Sequence, residues 1–167
     1  MKTNSPIKRH QALVSFSKDH HFGLLLVWKI KQGLSNAVAP ERISNYILYC
    51  FAEDLQHHFK EEEQLIFCKL SADDILRQQA EKDHQIIYGL IEQIRSDKNN
   101  EGLLKQFADK LQEHIRFEER ILFNHLQKEL TVSAMQIIST YTGSQAGDID
   151  CRWQDIFWGI KNAGLQK

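Results

Sequence analysis

Apolar residues recur every three or four positions along most of the chain, the spacing that places them on one face of an α-helix. The pattern is interrupted by the loop SNAVAP, near Ser71, and by the polar turn SDKNNEG. We therefore predict four helices: from Ser15 or Ser17 to Gly33, from Pro40 to about Leu70, from a capping box formed by Ser71 and Asp74 to about Arg95, and from about Glu101 to Leu130.

Four helices with short connections predict an all-α fold, namely an antiparallel up-down-up-down four-helix bundle, which we assign to residues 1–130. Residues 131–167 are predicted to form a C-terminal helical extension that packs on the bundle and is not a domain of its own. Binding of a partner or a second copy is its alternative role. After the break TGSQAG, the apolar face of IDCRWQDIFWGIK consists of Ile149, Trp153, Ile156, Phe157 and Ile160.

The helical phase also predicts which residues face the core. In the first helix they are Leu24, Val27 and Trp28. The stripes of the second and fourth helices mix ionisable with apolar residues: Ile47, Cys50, Phe51, Leu55, His58, Glu62 and Leu65 in one, and Phe107, Leu111, His114, Glu118, Ile121 and Leu122 in the other. Burying imidazoles and carboxylates together is unfavourable unless they are paired or bind a metal.

The two mixed stripes belong to an internal repeat. HHFKEEEQLIF and EHIRFEERILF align with a constant offset, because His58 matches His114 and Glu62 matches Glu118 (114 − 58 = 118 − 62 = 56). The helices that precede them share Lys-Asp-His, in KDHHFGLL and KDHQIIYG. The chain therefore consists of two copies of one unit.

The shared Lys-Asp-His aligns His20 with His84 (84 − 20 = 64), and both fall on core-facing positions. In an antiparallel bundle, these elements could meet at one level. The predicted metal ligands are His20, His58, Glu62, His84, His114 and Glu118. Six such ligands are too few to saturate two octahedral ions, so we predict two metals bridged by both carboxylates, with positions left for a small ligand. Imidazole and carboxylate without thiolate suit iron, then manganese, with zinc as a further alternative.

Composition narrows the function classes. The chain has 167 residues and a formal net charge of −1, which suits one domain without the basic field of a nucleic-acid-binding protein. The most apolar run, FGLLLVW, is too short to span a membrane, and the N-terminal residues do not resemble a signal peptide. Three cysteines without a CxxC pair fit a cytoplasmic protein. We expect a monomer or a homodimer.

These motifs resemble the hemerythrin-like, or HHE cation-binding, family, whose hallmark is a four-helix bundle around a non-haem diiron site. The resemblance covers about Phe16 to Lys128 and implies the six ligands named above, with one His from each helix and His-x-x-x-Glu on the second and fourth. Oxygen-carrying hemerythrins have a further His one turn from the first on the third helix; the two candidate positions in this chain are Ala80 and Tyr88. They also have His-x-x-x-x-Asp on the fourth helix, whereas the residue five positions after His114 is Glu119.

The resemblance therefore implies a non-haem diiron protein that binds or senses iron, oxygen or nitric oxide, closer to HHE proteins of iron sensing, iron handling or stress response than to reversible oxygen carriers. A diiron oxidase or peroxidase-type enzyme is one alternative. An interaction module with a structural metal is the other. The enzyme has less support, because the sequence contains no flavin, haem or ferredoxin-type motif.

Residues beside the predicted ligands are interpreted by the same helical phase. His21, Tyr88 and Glu119 are open candidates for the site. Glu63, like Glu119, is expected to form a salt bridge or a hydrogen bond to a ligand. The histidines expected in solvent or at the ends of the bundle are His10, His57 and His125.

Overall fold

The computed structural model describes residues 8–143 and 148–159. These residues form helices joined by turns and irregular segments, and they contain no strand. The all-α prediction is confirmed, and the long helices pack side by side as a bundle.

Four long helices form the bundle. The first and third are regular: α1 is Val14–Ser35 and α3 is Ile75–Ser96. Helix α2, residues 40–69, consists of Pro40–Cys50, a π turn at Phe51–Leu55, Gln56–Glu61, a second π turn at Glu62–Ile66 and a 3-10 turn at Phe67–Lys69. Helix α4, residues 101–129, consists of Glu101–Phe117, a π turn at Glu118–Leu122 and Phe123–Glu129. The short helices α5, Val132–Ile138, and α6, Ile149–Arg152, follow.

Side-chain pairs indicate that α1 and α2 run antiparallel, as do α3 and α4. Lys29 of α1 contacts Tyr46 near the start of α2, whereas His20, earlier in α1, contacts Glu62 near the end of α2. The α3–α4 pairs follow the same rule: Asp74 with His125, and His84 with His114. These pairs support the up-down-up-down order.

The apolar core is divided into two clusters. The larger one contains Ile47, Ile91 and Phe107, and the smaller one contains Phe67 and Leu122. Burying each such side chain stabilises the fold by roughly 1.5–3 kcal/mol. Buried histidines and glutamates lie between the two clusters, so the polar layer sits in the middle of the bundle.

Two predicted helix starts were wrong. Helix α1 begins at Val14, before Ser15 and Ser17, because a 3-10 turn at Gln11–Leu13 leads into it. That turn is capped by His10, whose Nδ1 accepts the Ala12 amide at 3.1 Å.

The predicted capping box at the start of α3 does not form either. Asp74 itself is the N-cap, and its Oδ1 accepts the amides of Leu76 and Arg77 at 2.9 and 3.0 Å. Ser71 lies one turn earlier and caps no helix. A carboxylate at the N-cap satisfies amides that have no partner within the helix.

Three residues predicted to face the core are partly exposed: Leu24 at 37%, Trp28 at 47% and Ile121 at 49%. The buried face of α1 is rotated from the predicted stripe and contains Gly23, Val27 and Ile30. Leu24 and Trp28 instead line a groove between α1 and α4.

The predicted amphipathic helix in the extension is only four residues long. The chain becomes extended at Trp153, so that Phe157 inserts into the bundle core while Ile156 stays 51% exposed. A Cβ on Gly33 would lie 2.9 Å from a Phe157 ring carbon, so glycine permits this close approach. Ile160 lies outside the described residues. The division of the chain at residue 130 stays a prediction.

Candidate metal centre

The six predicted ligands come together in the polar layer, and each is at most 3% exposed. Helix α1 provides His20, α2 provides His58 and Glu62, α3 provides His84, and α4 provides His114 and Glu118. Their donor atoms fall into two groups, and within each group the atoms lie within 4.8 Å of one another. One group is His20, His58 and Glu62, and the other is Glu62, His84, His114 and Glu118.

Glu62 belongs to both groups because its two oxygens face different imidazoles. Its Oε1 lies 3.1 Å from His20 Nε2 and 3.0 Å from His58 Nε2. Its Oε2 lies 3.3 Å from His84 Nε2. The carboxylate therefore stands between the two sets of imidazoles.

Glu118 occupies the corresponding position from the other side. Its Oε2 lies 3.0 Å from His20 Nε2 and 3.5 Å from His114 Nε2. The Nε2 atoms of His84 and His114 are 3.1 Å apart. Two imidazole nitrogens bound to one ion at about 2.1 Å each can be this close, so the spacing suits one metal ion.

Several donor atoms of the site have no hydrogen-bond partner among the described residues. Those that face the centre are Nε2 of His58, Oε2 of Glu62 and both carboxylate oxygens of Glu118. Some of them lie close to one another, but in orientations that do not form hydrogen bonds. Buried polar atoms normally have partners, because leaving them without one is costly. Convergent lone pairs of this kind fit the requirements of a metal cation.

Two carboxylates outside the predicted ligand set lie within hydrogen-bond distance of imidazole Nδ1 atoms, on the side of each ring away from the centre. His20 Nδ1 lies 2.7 Å from Glu119 Oε1, and His84 Nδ1 lies 2.7 Å from Glu63 Oε1. A proton on Nδ1 donated to a carboxylate leaves Nε2 free for a metal. As expected, Glu119 and Glu63 thus each pair with the imidazole of a predicted ligand.

The two other imidazoles face the aspartates of the Lys-Asp-His repeats. His58 Nδ1 is 3.4 Å from Asp19 Oδ2, and His114 Nδ1 is 3.5 Å from Asp83 Oδ2. Each imidazole of the repeat thus faces a carboxylate from a neighbouring helix, and the arrangement is two-fold. Our sequence interpretation gave these aspartates no role, although their occurrence in both copies was the signal that could have identified them.

Further groups fix the two aspartates. The Tyr141 hydroxyl donates to Asp19 at 2.6 Å, and its ring stacks on Phe16. Lys110 Nζ lies 2.7 Å from Asp83, and burial, which by itself would raise the Asp83 pKa, is outweighed by His114 and Lys110, which lower it to about 2. Tyr141 lies after α5, outside the repeat, so periodicity gave no indication of its part in the site.

Comparison with known proteins fits this geometry. Residues 13–126 match the family described as the hemerythrin HHE cation binding domain. The chain belongs to this family. No curated protein and no solved structure gives a significant match to it. The matched residues include all six predicted ligands and the four carboxylates that face their Nδ1 atoms.

Both carboxylates that are predicted as ligands of the HHE domain begin a π turn. Glu62 starts the turn at Glu62–Ile66, and Glu118 starts the turn at Glu118–Leu122. A π turn adds one residue to the helical turn and often occurs at functional sites. In both copies the π turn starts at the Glu of the His-x-x-x-Glu motif. The second residues of the two turns, Glu63 and Glu119, face imidazoles of other helices.

Electrostatics favour protons on His58 and His84 in the metal-free HHE domain. Burial by itself would lower the pKa of His58, but Glu62 and Asp19 outweigh it and raise the pKa to about 9. The same competition, with Glu62 and Glu63 as the carboxylates, raises the pKa of His84 to about 9. A metal ion that binds here must displace these protons.

The remaining candidate residues lie apart from this cluster. His21 is exposed, and His57, at 60% side-chain exposure, lies 3.8 Å from Glu61, as expected for a solvated flank. The Tyr88 ring is partly buried and packs edge-on against Phe51 and Phe59 of the larger core cluster. His10 caps a turn and His125 pairs with Asp74, both at one end of the bundle.

No helix in the described part of the HHE domain is both long and apolar enough to cross a bilayer.

Proposed function

We propose that this HHE domain binds two iron ions and, through them, binds or senses oxygen, nitric oxide or iron itself, in the cytoplasm. The proposed ligands are His20, His58, Glu62, His84, His114 and Glu118. Iron in such a site supplies a redox-active Lewis acid that attracts small diatomic molecules.

The position of the two carboxylates carries this proposal. Glu62 faces His20 and His58 with one oxygen and His84 with the other, and Glu118 lies between His20 and His114. A carboxylate that faces two sets of imidazoles is suited to bridge two cations. A single cation would not use both oxygens of Glu62 in this way.

The donor set supports iron as the metal. Four imidazoles and two carboxylates without a thiolate match non-haem iron, whereas calcium or magnesium would favour oxygen donors alone. Manganese and zinc accept the same donors and are the alternatives. Direct measurement must therefore identify the metal as well as count it.

The site also leaves room for a further ligand. Position 80 on α3 is a fully buried alanine, and Tyr88 points its ring toward Phe51 and Phe59. Neither residue adds an imidazole, so two metals share four imidazoles and two carboxylates. Six ligands leave several positions of two six-coordinate ions open to small molecules.

Metal analysis of the full chain, reconstituted with ferrous iron under anaerobic conditions, tests this proposal. We expect two iron ions per chain and an optical spectrum that changes on exposure to air. One iron per chain, or a preference for zinc after reconstitution with iron, would contradict it.

Removal of oxygen under vacuum then separates two roles. A spectrum that does not return supports sensing, iron handling or redox chemistry. Several complete cycles of oxygenation and release would instead support reversible oxygen carriage.

A further inference from the structure

A cavity next to the metal centre is lined by none of the six predicted ligands. This outer cavity, of about 30 Å³, lies between α1, α2 and α6. Its lining includes Phe22, Leu25, Leu26, Cys50 and Asp150. Phe22 and Leu25 are only half-buried, and the Asp150 side chain is 43% exposed, so the cavity borders solvent.

An inner cavity of about 10 Å³ lies deeper in the bundle and is lined by His20, His58 and His114. It has roughly the room of one water-sized molecule. Gly23 and Leu55 line both cavities, so these two residues form the boundary between them. The outer cavity therefore leads to the metal ligands.

The boundary depends on two local features. Gly23 has no side chain, and a Cβ there would lie 2.7 Å from Cδ1 of Ile115, which lines the inner cavity. Leu55 is the last residue of the π turn at Phe51–Leu55, whereas the matching residues of the repeat, 107–111, are regular α-helix. This π turn thus occurs where the cavities adjoin, and π turns are frequent at functional sites.

The walls favour uncharged molecules. Leu26, Leu55 and Ile115 are apolar, and burial raises the pKa of Cys50 to about 12, so its thiol stays neutral. Three ionisable side chains also line the outer cavity, namely Lys29, Asp54 and Asp150. Lys29 is paired with Asp150 and donates to Tyr46, and Asp54 likewise interacts within the protein. An ion would exchange its hydration shell for a few groups that already have partners, whereas a diatomic gas would lose little hydration.

We propose that the two cavities form the access route by which a small uncharged diatomic molecule reaches the metal centre, entering beside α6 and passing between Gly23 and Leu55. The destination of this route rests on the proposed function. The entrance does not, because the outer cavity and the boundary at Gly23 and Leu55 are formed by side chains outside the proposed ligand set.

Dissolved oxygen tests the route without iron. In the full chain, metal-free or zinc-loaded, paramagnetic oxygen broadens the NMR signals of methyl groups that it approaches. We expect several-fold greater broadening at the Leu26 and Leu55 methyls, which are 5% and 4% exposed, than at Leu90 and Leu70, which are 7% and 6% exposed but line neither cavity. Equal broadening at all four would overturn the inference.

A matched pair of substitutions tests the route with iron. Leu26→Phe fills the outer cavity, whereas Leu24→Phe makes the same change two residues away, in the groove between α1 and α4. We expect Leu26→Phe to slow association of nitric oxide with the iron-loaded protein roughly tenfold and Leu24→Phe to leave it unchanged. Iron content should be the same in both.

The outcomes separate the two proposals. If neither the wild-type protein nor the two variants bind iron, the proposed function is wrong, and the oxygen-broadening experiment alone decides whether the route exists. If iron binds but only Leu24→Phe slows association, the ligand arrives between α1 and α4 and the inference is wrong. If Leu26→Phe fails to fold, the broadening in the wild-type protein remains decisive.

Discussion

Two regions of this molecule bury charged groups, and they compensate the cost of burial in different ways. In the first, the metal centre, carboxylates and imidazoles converge and several of their atoms lack hydrogen-bond partners among the described residues. In the second, which we call the lysine cluster, Lys29 donates to Tyr46 and Asp150, and the Tyr46 hydroxyl donates to Asp150. Lys29 Nζ also lies 4.1 Å from the centre of the Trp158 ring.

The difference indicates what each region is for. In the lysine cluster, each polar group has a partner within the protein, so the cluster fastens the segment around α6 to the bundle. In the metal centre, the protein leaves atoms for a partner that it does not itself provide. Substitutions should therefore separate the two: changes in the metal centre should alter metal content, and changes in the lysine cluster should alter stability.

The largest effect is expected for a ligand. His58→Ala should abolish binding of at least one metal ion per chain, because His58 shares the core face with Glu62. His57→Ala is the matched control. His57 is the exposed residue immediately before His58 in the same helix, so its substitution should leave metal content unchanged. Metal analysis of the two variants checks this, and an equal loss in both would show that the assigned ligand face of α2 is wrong.

The pH dependence should have opposite signs for metal binding and for stability of the metal-free protein. The pKa values of His58 and His84 are about 9 in the folded protein, against 6.5 for an ordinary histidine. Their contribution to metal-free stability is thus complete below pH 6.5 and is lost as the pH rises through 9.

Metal affinity should rise over the same interval, by about tenfold per pH unit for each proton displaced. Chelator competition and denaturant unfolding, both followed across this interval, measure the two trends. An affinity that does not change with pH would mean that the imidazoles are already neutral in the metal-free protein.

In the lysine cluster, Lys29→Ala should lower the free energy of unfolding by about 2 kcal/mol, because it removes a buried ammonium that donates to Tyr46 and to the partly exposed Asp150. Metal content per folded chain should not change. Arg42→Ala is the control: its pair with Asp155 is 39% and 46% exposed and should contribute less than about 1 kcal/mol. Urea unfolding of the metal-free proteins measures both, and equal losses would show that burial does not distinguish the two ion pairs.

A smaller effect on metal binding is expected for the carboxylates behind the ligands. Asp83→Asn should weaken metal affinity by about 10–100-fold, because an amide orients the His114 imidazole less strongly than a carboxylate. Asp109→Asn, at an exposed position of α4, should have no effect. If chelator competition gives the same affinity for Asp83→Asn as for the wild type, the 3.5 Å approach of Asp83 to His114 has no role in binding.

The sequence determined the number of helices and the residues that face the metal centre. Helical periodicity is a local property, and it places His58 and Glu62 on one face wherever the helix lies. The repeat then added information that a single motif lacks, since a matching pair at His114 and Glu118 is improbable for a solvated surface. The structure brings all of these residues together, as the pattern indicated.

Tertiary structure alone decided the partners that are distant in sequence. Asp150 lies 121 residues from Lys29, and Tyr141 lies 122 residues from Asp19, so no local pattern connects them. The exposure of Leu24 and Trp28 was likewise decided by the rotation of α1 against its neighbours, since an apolar residue on a helix shows its spacing but not the face that the next helix covers. After the short α6 the chain is extended at Trp153, and Phe157 is fully buried against Gly33, which lies far away in the sequence, so the helical spacing of the segment did not indicate this contact.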